Sequence, residues 1–327
     1  MKQYLNQLIS HTSLSEDEAK AALLKIGQGE VNPSQMAAFL MGIQAKGVTV
    51  DELIGFREAM LELAVIVDLT EFDAMDLCGT GGDGKDTFNI STTASFIVAG
   101  AGQKVAKHGN HGVSSSVGSS TVLEYLGVKF SNDQDFLKHK IETAGICYLH
   151  APLFHPAMRH IGPIRKELGI KTFFNMLGPL LNPAKVEKQL TGVYDLSIFD
   201  LYHQLFNRSV SQYGILHSLD GYDEISLTGD FKLATNDFNK NYSPSDIGLE
   251  VLLQDQLHGG DSLEASAKIM VSILENEGTP AQNAAVLANA GVALSVSRGL
   301  DLAEGIALAR VSLESGKALE SFRRLVE

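Results

Sequence analysis

The feature that most constrains this chain is a glycine-rich stretch, DLCGTGGDGKDTFNIST, at residues 76–92. The apolar run AMDLC before it is typical of a β-strand, and STTASFIVAGAG after the turn is typical of an α-helix. A glycine-bearing turn into a helix start presents free backbone N–H groups and the positive end of the helix dipole, which suits a phosphate group. The spacing matches neither a dinucleotide-binding fingerprint nor a P-loop, so an ordinary capped turn stays open as the alternative.

From about residue 73, short apolar runs alternate with helical stretches. The strand-like runs are AMDLCGT, KVAKHGN, GICYLHAP, QLTGVY, YGILHS and EISLTGDFKLAT. Such alternation is typical of an α/β fold with a mostly parallel sheet flanked by helices. We therefore predict a larger α/β domain over residues 73–327.

Residues 1–68 carry helix signals and no strand signal. Ser15 with Glu18, and Thr49 with Glu52, have the spacing of capping boxes. Asn32 followed by Pro33 marks a helix start, and Gly47 marks its end. We predict a small N-terminal all-helical domain here.

A second polar loop, KHGNHGVSSSVGSS at residues 107–120, again lies between a strand-like run and a helix. Lys107 can place a positive charge on a phosphate, and the serines and free N–H groups can add hydrogen bonds. A flexible surface loop is the alternative interpretation. Because both loops follow the carboxyl ends of predicted strands, together they favour one ligand crevice.

A third loop, HSLDGYDEISLTG, supplies negative charge through Asp220, Asp223 and Glu224. Taken alone, an Asp-Glu pair in a loop is a solvated turn. Beside two phosphate-type loops, these oxygens instead indicate Mg²⁺, which bridges one or two carboxylates to phosphate.

A fourth stretch, residues 155–183, reads HPAMRHIGPIRKELGIKTFFNMLGPLLNP. We expect Pro163 to break the helix and leave Arg165 in the first turn of a new one. An arginine held there could bind a planar carboxylate through two parallel hydrogen bonds. A surface arginine on an amphipathic helix is the alternative.

The formal net charge of −13 argues against a nucleic-acid coat, because such proteins need basic patches. Cys78 and Cys147 are too few for a disulfide framework. The N-terminus turns polar too soon for a signal peptide, and no apolar run approaches the roughly 20 residues that span a bilayer. We expect a soluble protein of the cytoplasm with no nucleic-acid or membrane partner.

Four segments together resemble the anthranilate phosphoribosyltransferase family. They are GTGGDGKDTFNIST, the KHGN loop with its serines and LEYLG, the fourth stretch above, and DGYDEISLTG. The helical opening and the ending NAAVLANAGVAL match as well, so the resemblance spans nearly the whole chain. It implies transfer of the 5-phosphoribosyl group from phosphoribosyl pyrophosphate (PRPP) to the amine of anthranilate. The products are N-(5-phosphoribosyl)anthranilate and pyrophosphate, in the second step of tryptophan synthesis.

The resemblance also implies residue roles. Positions that match the PRPP contacts of the family are Gly79, Gly82, Asp83, Thr87, Asn89, Ile90, Ser91, Thr92, Lys107, His108, Gly109, Ser114, Ser115 and Ser119. Ser91, Asp223 and Glu224 match metal ligands and imply two Mg²⁺ per active site. Gly79, Asn110 and Arg165 match anthranilate contacts, with Arg165 on the carboxylate. His108 is a candidate for accepting a proton, beside a structural role in its loop.

The resemblance further implies a layout of two domains with the substrates in a cleft between them. A segment of about residues 163–185 would return to the helical domain, and the protein would be a homodimer. One departure stands out: members commonly carry Arg after KHGN, whereas this chain has His111. An anion contact at that position would be pH-dependent or lost.

Two other functions compete with this one. A pyrimidine nucleoside phosphorylase has a similar fold, but a different glycine loop and no need of the Asp223–Glu224 pair. A non-catalytic nucleic-acid-binding relative would expose a basic face, which the acidic composition disfavours.

Overall fold

The computed structural model describes residues 1–112 and 117–327, which divide into two compact units. The first unit comprises Met1–Val67 and Ala151–Pro183, and the second comprises Asp68–His150 and Ala184–Glu327. Up to residue 150 the elements are α1 (Lys2–Ile9), α2 (Glu16–Gly27), α3 (Pro33–Lys46), α4 (Val50–Glu62), β1 (Met75–Gly79), α5 (Ile90–Gly100), β2 (Val105–Gly109), α6 (Ser119–Tyr125), α7 (Gln134–Ala144) and β3 (Ile146–His150). They continue with α8 (Ala151–Phe154), α9 (Met158–Leu168), α10 (Phe174–Leu177), β4 (Lys188–Gly192), α11 (Leu196–Ser209), β5 (Gln212–Ser218), β6 (Phe231–Thr235), β7 (Asn239–Tyr242), α12 (Leu263–Leu274), α13 (Pro280–Arg298), α14 (Leu302–Glu314) and α15 (Lys317–Val326).

The helix signals read from the first 68 residues are confirmed. Ser15 and Thr49 both form the predicted capping boxes, at the starts of α2 and α4. Asn32 caps α3, Pro33 is its first residue and Gly47 ends it. Each cap supplies a partner to a backbone N–H group that has none within the helix.

Aromatic side chains form the centre of the first unit. Phe56 stacks on Phe173 with ring centroids 4.2 Å apart, and Phe39 meets Phe56 edge-on at 6.0 Å. All three side chains are fully buried. Such ring pairs add to the stabilisation from burial alone, and they join α3 and α4 to the returning segment.

The prediction for Pro163 was wrong. Helix α9 runs through it from Met158 to Leu168, which puts Arg165 in the last turn and not in the first. A proline inside a helix removes one backbone hydrogen bond. Ile161 and Ile164, on either side of it, are buried, so their packing in the core offsets that loss.

The returning segment also differs from its predicted range of about 163–185. In the structure it covers Ala151–Pro183 and begins directly after β3. The Val65 N–H donates to the carbonyl of Phe154 (2.8 Å), and the Phe154 ring is fully buried. This contact recruits α8 to the first unit twelve residues before the predicted start at about 163.

The second unit confirms the predicted α/β class. Its seven strands lie in the order β3-β2-β1-β4-β5-β6-β7. The first five run parallel, and β6 and β7 are antiparallel additions at one edge. The core that packs on this sheet includes the long helix α13, whose central residues are almost all buried.

The run EISLTGDFKLAT is not one strand. Only Phe231–Thr235 pairs in the sheet, as β6. Leu227 has a φ of 62°, and the N–H and carbonyl of Ile225 both bond the side chain of Asn289. The backbone of Ile225 is therefore not available to a neighbouring strand, and the Leu227 carbonyl accepts from the Leu252 N–H outside the sheet.

Among the helices of the described residues, none combines the length and the apolar character that a membrane span requires.

Candidate active site

The candidate site lies at the carboxyl edge of the parallel strands in the second unit. β1 has β2 on one side and β4 on the other, so the chain winds in opposite directions from this point. The loop at residues 80–89 follows β1, the loop at 110–118 follows β2 and the acidic loop follows β5. Because these strands run parallel, the three predicted ligand loops emerge at one edge.

Glycines let the first loop turn sharply after β1. Gly81, Gly82 and Gly84 have φ values of 63°, 79° and 72°, in the left-handed region that favours glycine. The Thr80 N–H donates to the carbonyl of Gly192 (2.9 Å) and anchors the start of the loop to β4. The backbone N–H groups between the anchor and α5 are thereby held in a fixed turn.

The predicted PRPP residues of this loop lie along one continuous segment. Partly buried members are Gly79, Gly82, Asp83, Thr87, Asn89 and Ser91, whereas Ile90 and Thr92 are buried in the first turn of α5. The Asn89 side-chain amide lies 3.5 Å from the carbonyl of Val117. The first loop is therefore in contact with the second.

The acidic pair reaches back to the first loop. Asp223 Oδ2 accepts from the Gly81 N–H (2.7 Å), and Glu224 Oε1 accepts from the Ser91 N–H (2.9 Å). These contacts bring Ser91 together with Asp223 and Glu224, the other two predicted metal ligands, which lie more than 130 residues later in the chain. The approach requires glycine at two positions, since an added Cβ at Gly79 would lie 2.3 Å from Asp223 Oδ2, and one at Gly192 would lie 1.5 Å from the Asp223 carbonyl oxygen.

The two carboxylates lie in a setting that disfavours their negative charge. Burial, followed by the nearby carboxylate of Asp83, raises the pKa of Asp223 to about 7. Burial and then the charge of Asp223 raise the pKa of Glu224 well above its usual value, against a smaller opposing effect of Lys107. Buried like charges need a compensating cation, so this donor set fits a hard divalent ion such as Mg²⁺.

Asp223 and Glu224 are too few to supply all the ligands of a metal ion. Among residues 1–112 and 117–327 no group of three or more His, Cys, Asp or Glu side chains could hold a metal ion. Mg²⁺ typically uses one or two carboxylates and completes its shell with water and substrate phosphates. A pair of acids beside a phosphate-type loop meets that requirement.

The second loop begins from two buried residues. The Lys107 ammonium donates to the carbonyl of Leu77 in the next strand, and its side chain is almost completely buried. The His108 side chain is also buried, and its backbone N–H donates to Asp76 Oδ1 (3.1 Å). Lys107 thus brings a fixed positive charge close to Glu224, where it lowers the pKa of that carboxyl.

Asn110 lies exposed just after Gly109, where β2 ends. Its carbonyl accepts from the Ser119 hydroxyl (3.2 Å), which also bonds the Tyr148 hydroxyl (2.8 Å). The Asn110 position is therefore tied to the start of α6 and to β3. The predicted residues Ser114 and Ser115 lie outside the described residues.

His111, at the position where the resemblance leads us to expect Arg, is exposed and turned toward α6. Its Nδ1 lies 3.1 Å from the Thr121 hydroxyl, and its ring centroid is 5.0 Å from that of His150. Burial, and then the charge of His111, lowers the pKa of His150.

Arg165 belongs to the first unit, in the last turn of α9. It donates to Asn175 Oδ1 (3.4 Å) and lies 5.2 Å from the Phe174 ring centroid. Burial lowers its pKa, and in the described part of the chain no carboxylate pairs with it. A half-buried guanidinium with these neighbours suits an anionic ligand.

The sequence reasoning missed the side chains that support the acidic pair. Asn289 in α13 bonds the backbone of Ile225, and the Ser218 hydroxyl at the end of β5 donates to the carbonyl of Glu224 (2.6 Å). The only local signal was an asparagine within the apolar run AAVLANAGVAL, where a buried amide must find partners.

The chain is similar to known proteins over nearly its whole length. A family described as "Glycosyl transferase family, a/b domain" matches residues 71–319, and one described as "Glycosyl transferase family, helical bundle domain" matches residues 2–64. The chain is 55% identical over 325 residues to the anthranilate phosphoribosyltransferase of Christiangramia forsetii, with 99% of this chain and 98% of the relative covered.

Solved structures also match this chain over nearly its full length. The Thermus thermophilus anthranilate phosphoribosyltransferase matches with a TM-score of 0.93 and 34% identity, over 99% of this chain and 98% of that one. The Saccharomyces cerevisiae enzyme in complex with PRPP and Mg matches at 0.91 and 28%, over 99% and 96%. The same yeast enzyme with 4-fluoroanthranilate matches at 0.88 and 27%, over 99% and 96%.

Proposed function

Because the chain belongs to the anthranilate phosphoribosyltransferase family, we propose that it transfers the 5-phosphoribosyl group of PRPP to the amine of anthranilate. The products are N-(5-phosphoribosyl)anthranilate and pyrophosphate. The observation that carries this function is the contact of Asp223 and Glu224 with the backbone of the glycine-rich loop, through Gly81 and Ser91. That contact places two carboxylates, whose oxygens suit Mg²⁺, beside a glycine-rich turn whose backbone suits a phosphate group.

The pyrophosphate of PRPP leaves C1 of the ribose only if its charge is neutralised. The N–H groups of Gly81 and Ser91 already donate to the acidic pair, so the turn at Asp83 and Gly84 and the positive end of α5 supply donors for it. The fixed charge of Lys107 adds positive potential. Ser91, Asp223 and Glu224 would hold two Mg²⁺, and bound Mg²⁺ would add the remaining charge stabilisation of the leaving group. Lys107 acts through its field, because its ammonium already donates to the Leu77 carbonyl.

The other proposed PRPP contacts are the remaining positions that match the family: Gly82, Asp83, Thr87, Asn89, Ile90, Thr92, His108, Gly109, Ser114, Ser115 and Ser119. Their support is the match to the family, and for the described ones also their place on the first loop, in the first turn of α5, at the end of β2 or at the start of α6. The fixed turn of the first loop means that its donors need no reorganisation when the phosphate arrives.

Anthranilate requires positioning more than activation. Its aromatic amine is neutral at pH 7 and can attack C1 directly as the bond to pyrophosphate loosens, so alignment contributes most. We propose that Arg165 binds the carboxylate and that Asn110 and Gly79 make the remaining contacts. His108 stays a candidate for accepting the amine proton, although its burial also fits a structural role. The family resemblance further leads us to propose a homodimer.

The competing functions are less well supported. Relatives and solved structures that match over nearly the full chain include anthranilate phosphoribosyltransferases, one of them with PRPP and Mg bound. A nucleoside phosphorylase has no need of the buried acidic pair. A nucleic-acid-binding protein needs a basic surface, which is not expected at a net charge of −13.

The proposed reaction is tested by following anthranilate fluorescence after purified protein is mixed with PRPP, Mg²⁺ and anthranilate. We expect the fluorescence to fall only when all four components are present, and to stop falling when EDTA removes the metal. A parallel reaction with thymidine or uridine and phosphate serves as the control. Phosphorolysis there without metal, combined with stable anthranilate fluorescence, would contradict the proposed function.

A further inference from the structure

Asn289 is a buried polar residue in the apolar centre of α13, with 3% of its surface exposed. Its Nδ2 donates to the carbonyl of Ile225 (2.9 Å), and its Oδ1 accepts from the Ile225 N–H (3.0 Å). Nδ2 also donates to the Ala285 carbonyl one turn earlier in the helix (2.9 Å). A buried amide is costly unless its donors and acceptor are satisfied. This one is satisfied, and two of its three bonds go to one residue of another segment.

The residue that Asn289 holds directly follows the acidic pair. The N–H of Ile225 and the carbonyl of Glu224 belong to the same peptide group. That carbonyl accepts from the Ser218 hydroxyl (2.6 Å), while the N–H donates to Asn289. Both ends of the peptide that carries Glu224 are therefore fixed by side chains from β5 and α13, in a segment that pairs with no strand.

Such a restraint is needed because the two acids oppose their own arrangement. Asp223 and Glu224 are neighbours in the chain, and both carboxylates face the glycine-rich loop, where they accept from the N–H groups of Gly81 and Ser91. Repulsion between buried carboxylates favours any loop conformation that separates them. A backbone fixed on both sides of a peptide keeps the oxygens facing Gly81 and Ser91 before a cation arrives.

We propose that Asn289 is a positioning residue for the metal-binding acids, fixing the Glu224–Ile225 peptide so that both carboxylates face the glycine-rich loop. The inference rests on the proposed function, since it concerns the metal ligands of that same site. Groups that orient metal ligands from behind typically change metal affinity by about 10–100-fold when removed.

The test is direct metal binding. Asn289→Leu removes all three hydrogen bonds at similar volume. We expect its Kd for Mn²⁺, measured by calorimetry or electron paramagnetic resonance with PRPP present, to rise by about 10–100-fold. The half-saturating Mg²⁺ concentration for turnover should rise in parallel, kcat should recover at high Mg²⁺, and KM for anthranilate should stay within about twofold of wild type.

Asn283→Leu is the matched control. Asn283 lies in the same helix, and its side-chain amide donates to the Gly278 carbonyl (3.3 Å). It has no hydrogen bond to the acidic loop among the described residues, so the Mn²⁺ affinity of Asn283→Leu should equal that of wild type. If Asn289→Leu is folded, by circular dichroism and thermal melting, and binds Mn²⁺ like wild type, the inference is overturned.

If Asn289→Leu does not fold, Ser218→Ala decides the question. That change removes the other bond to the same peptide, so Mn²⁺ binding weakened several-fold supports the inference, and wild-type affinity overturns it. Wild-type protein that binds Mn²⁺ but does not consume anthranilate would contradict the proposed reaction alone, because the comparison of affinities does not use turnover. Wild-type protein that binds no Mn²⁺ would overturn the metal ligands and this inference together.

Discussion

Asp223→Asn is expected to lower kcat/KM by about 100- to 1,000-fold at saturating Mg²⁺, a loss of the size seen when one preorganised electrostatic group is removed. The asparagine keeps the size of the side chain and an oxygen that can accept from the Gly81 N–H. It lacks the negative charge that a divalent ion requires. The loss should therefore fall on catalysis and not on local structure.

The thermal stability of Asp223→Asn should not fall with its activity. Burial and the Asp83 carboxylate make the charged form of Asp223 unfavourable, and the neutral asparagine relieves both effects. We expect the melting temperature without ligand to be equal to or above that of wild type. Asp230→Asn, which changes an exposed acid of the same loop, is the control and should stay within about twofold of wild-type activity. Full activity of Asp223→Asn would remove the metal assignment.

Arg165→Ala is expected to raise KM for anthranilate about 100-fold while KM for PRPP changes less than twofold. Truncating one partner of a half-buried, charge-assisted contact costs about 2–5 kcal/mol, and ~2.7 kcal/mol corresponds to this ratio. Arg165 is placed for such a contact, because it is half-buried and no described carboxylate pairs with it.

Two further variants sharpen this prediction. Arg165→Lys keeps the charge but loses the planar fork, so its KM for anthranilate should lie between those of wild type and the alanine variant. Arg159→Ala removes an exposed arginine from the same helix and should leave both KM values unchanged. An unaltered KM for anthranilate in Arg165→Ala would show that the carboxylate binds elsewhere.

Local sequence signals predicted the local structure of this chain well. The capping boxes at Ser15 and Thr49 and the turn between β1 and α5 depend on residues within a few positions of each other. Backbone hydrogen-bond partners and glycine conformations at such sites are decided by near neighbours, so the sequence pattern suffices.

Predictions were wrong where contacts with residues distant in the sequence determine the local backbone conformation. Pro163 should end a helix by local rules, yet the burial of Ile161 and Ile164 keeps α9 continuous. The run from Glu224 alternates like a strand. The backbone N–H and carbonyl of Ile225, however, bond the side chain of Asn289, which lies 64 residues later in α13. Tertiary contacts override propensity at such positions.

The same distinction between local and distant contacts applies to the candidate site. Each loop could be recognised as a possible ligand-binding segment from its own glycines, serines or acids. That Asp223 meets Gly81 across 142 residues follows from the strand order β2-β1-β4-β5, which periodicity does not reveal. The position of both polar loops after predicted strands favours one ligand crevice, and the resemblance to a known family adds which residues of the acidic loop and of the fourth stretch belong to it.

We expect the two polar loops and the acidic pair to form one binding site for the magnesium complex of PRPP. A crystal structure of the protein soaked with PRPP and Mg²⁺ tests it directly. We expect pyrophosphate density against the backbone of residues 80–92 and beside Lys107, with metal density on Asp223 and Glu224. Ligand density in another part of the molecule, with these carboxylates free of metal, would contradict it.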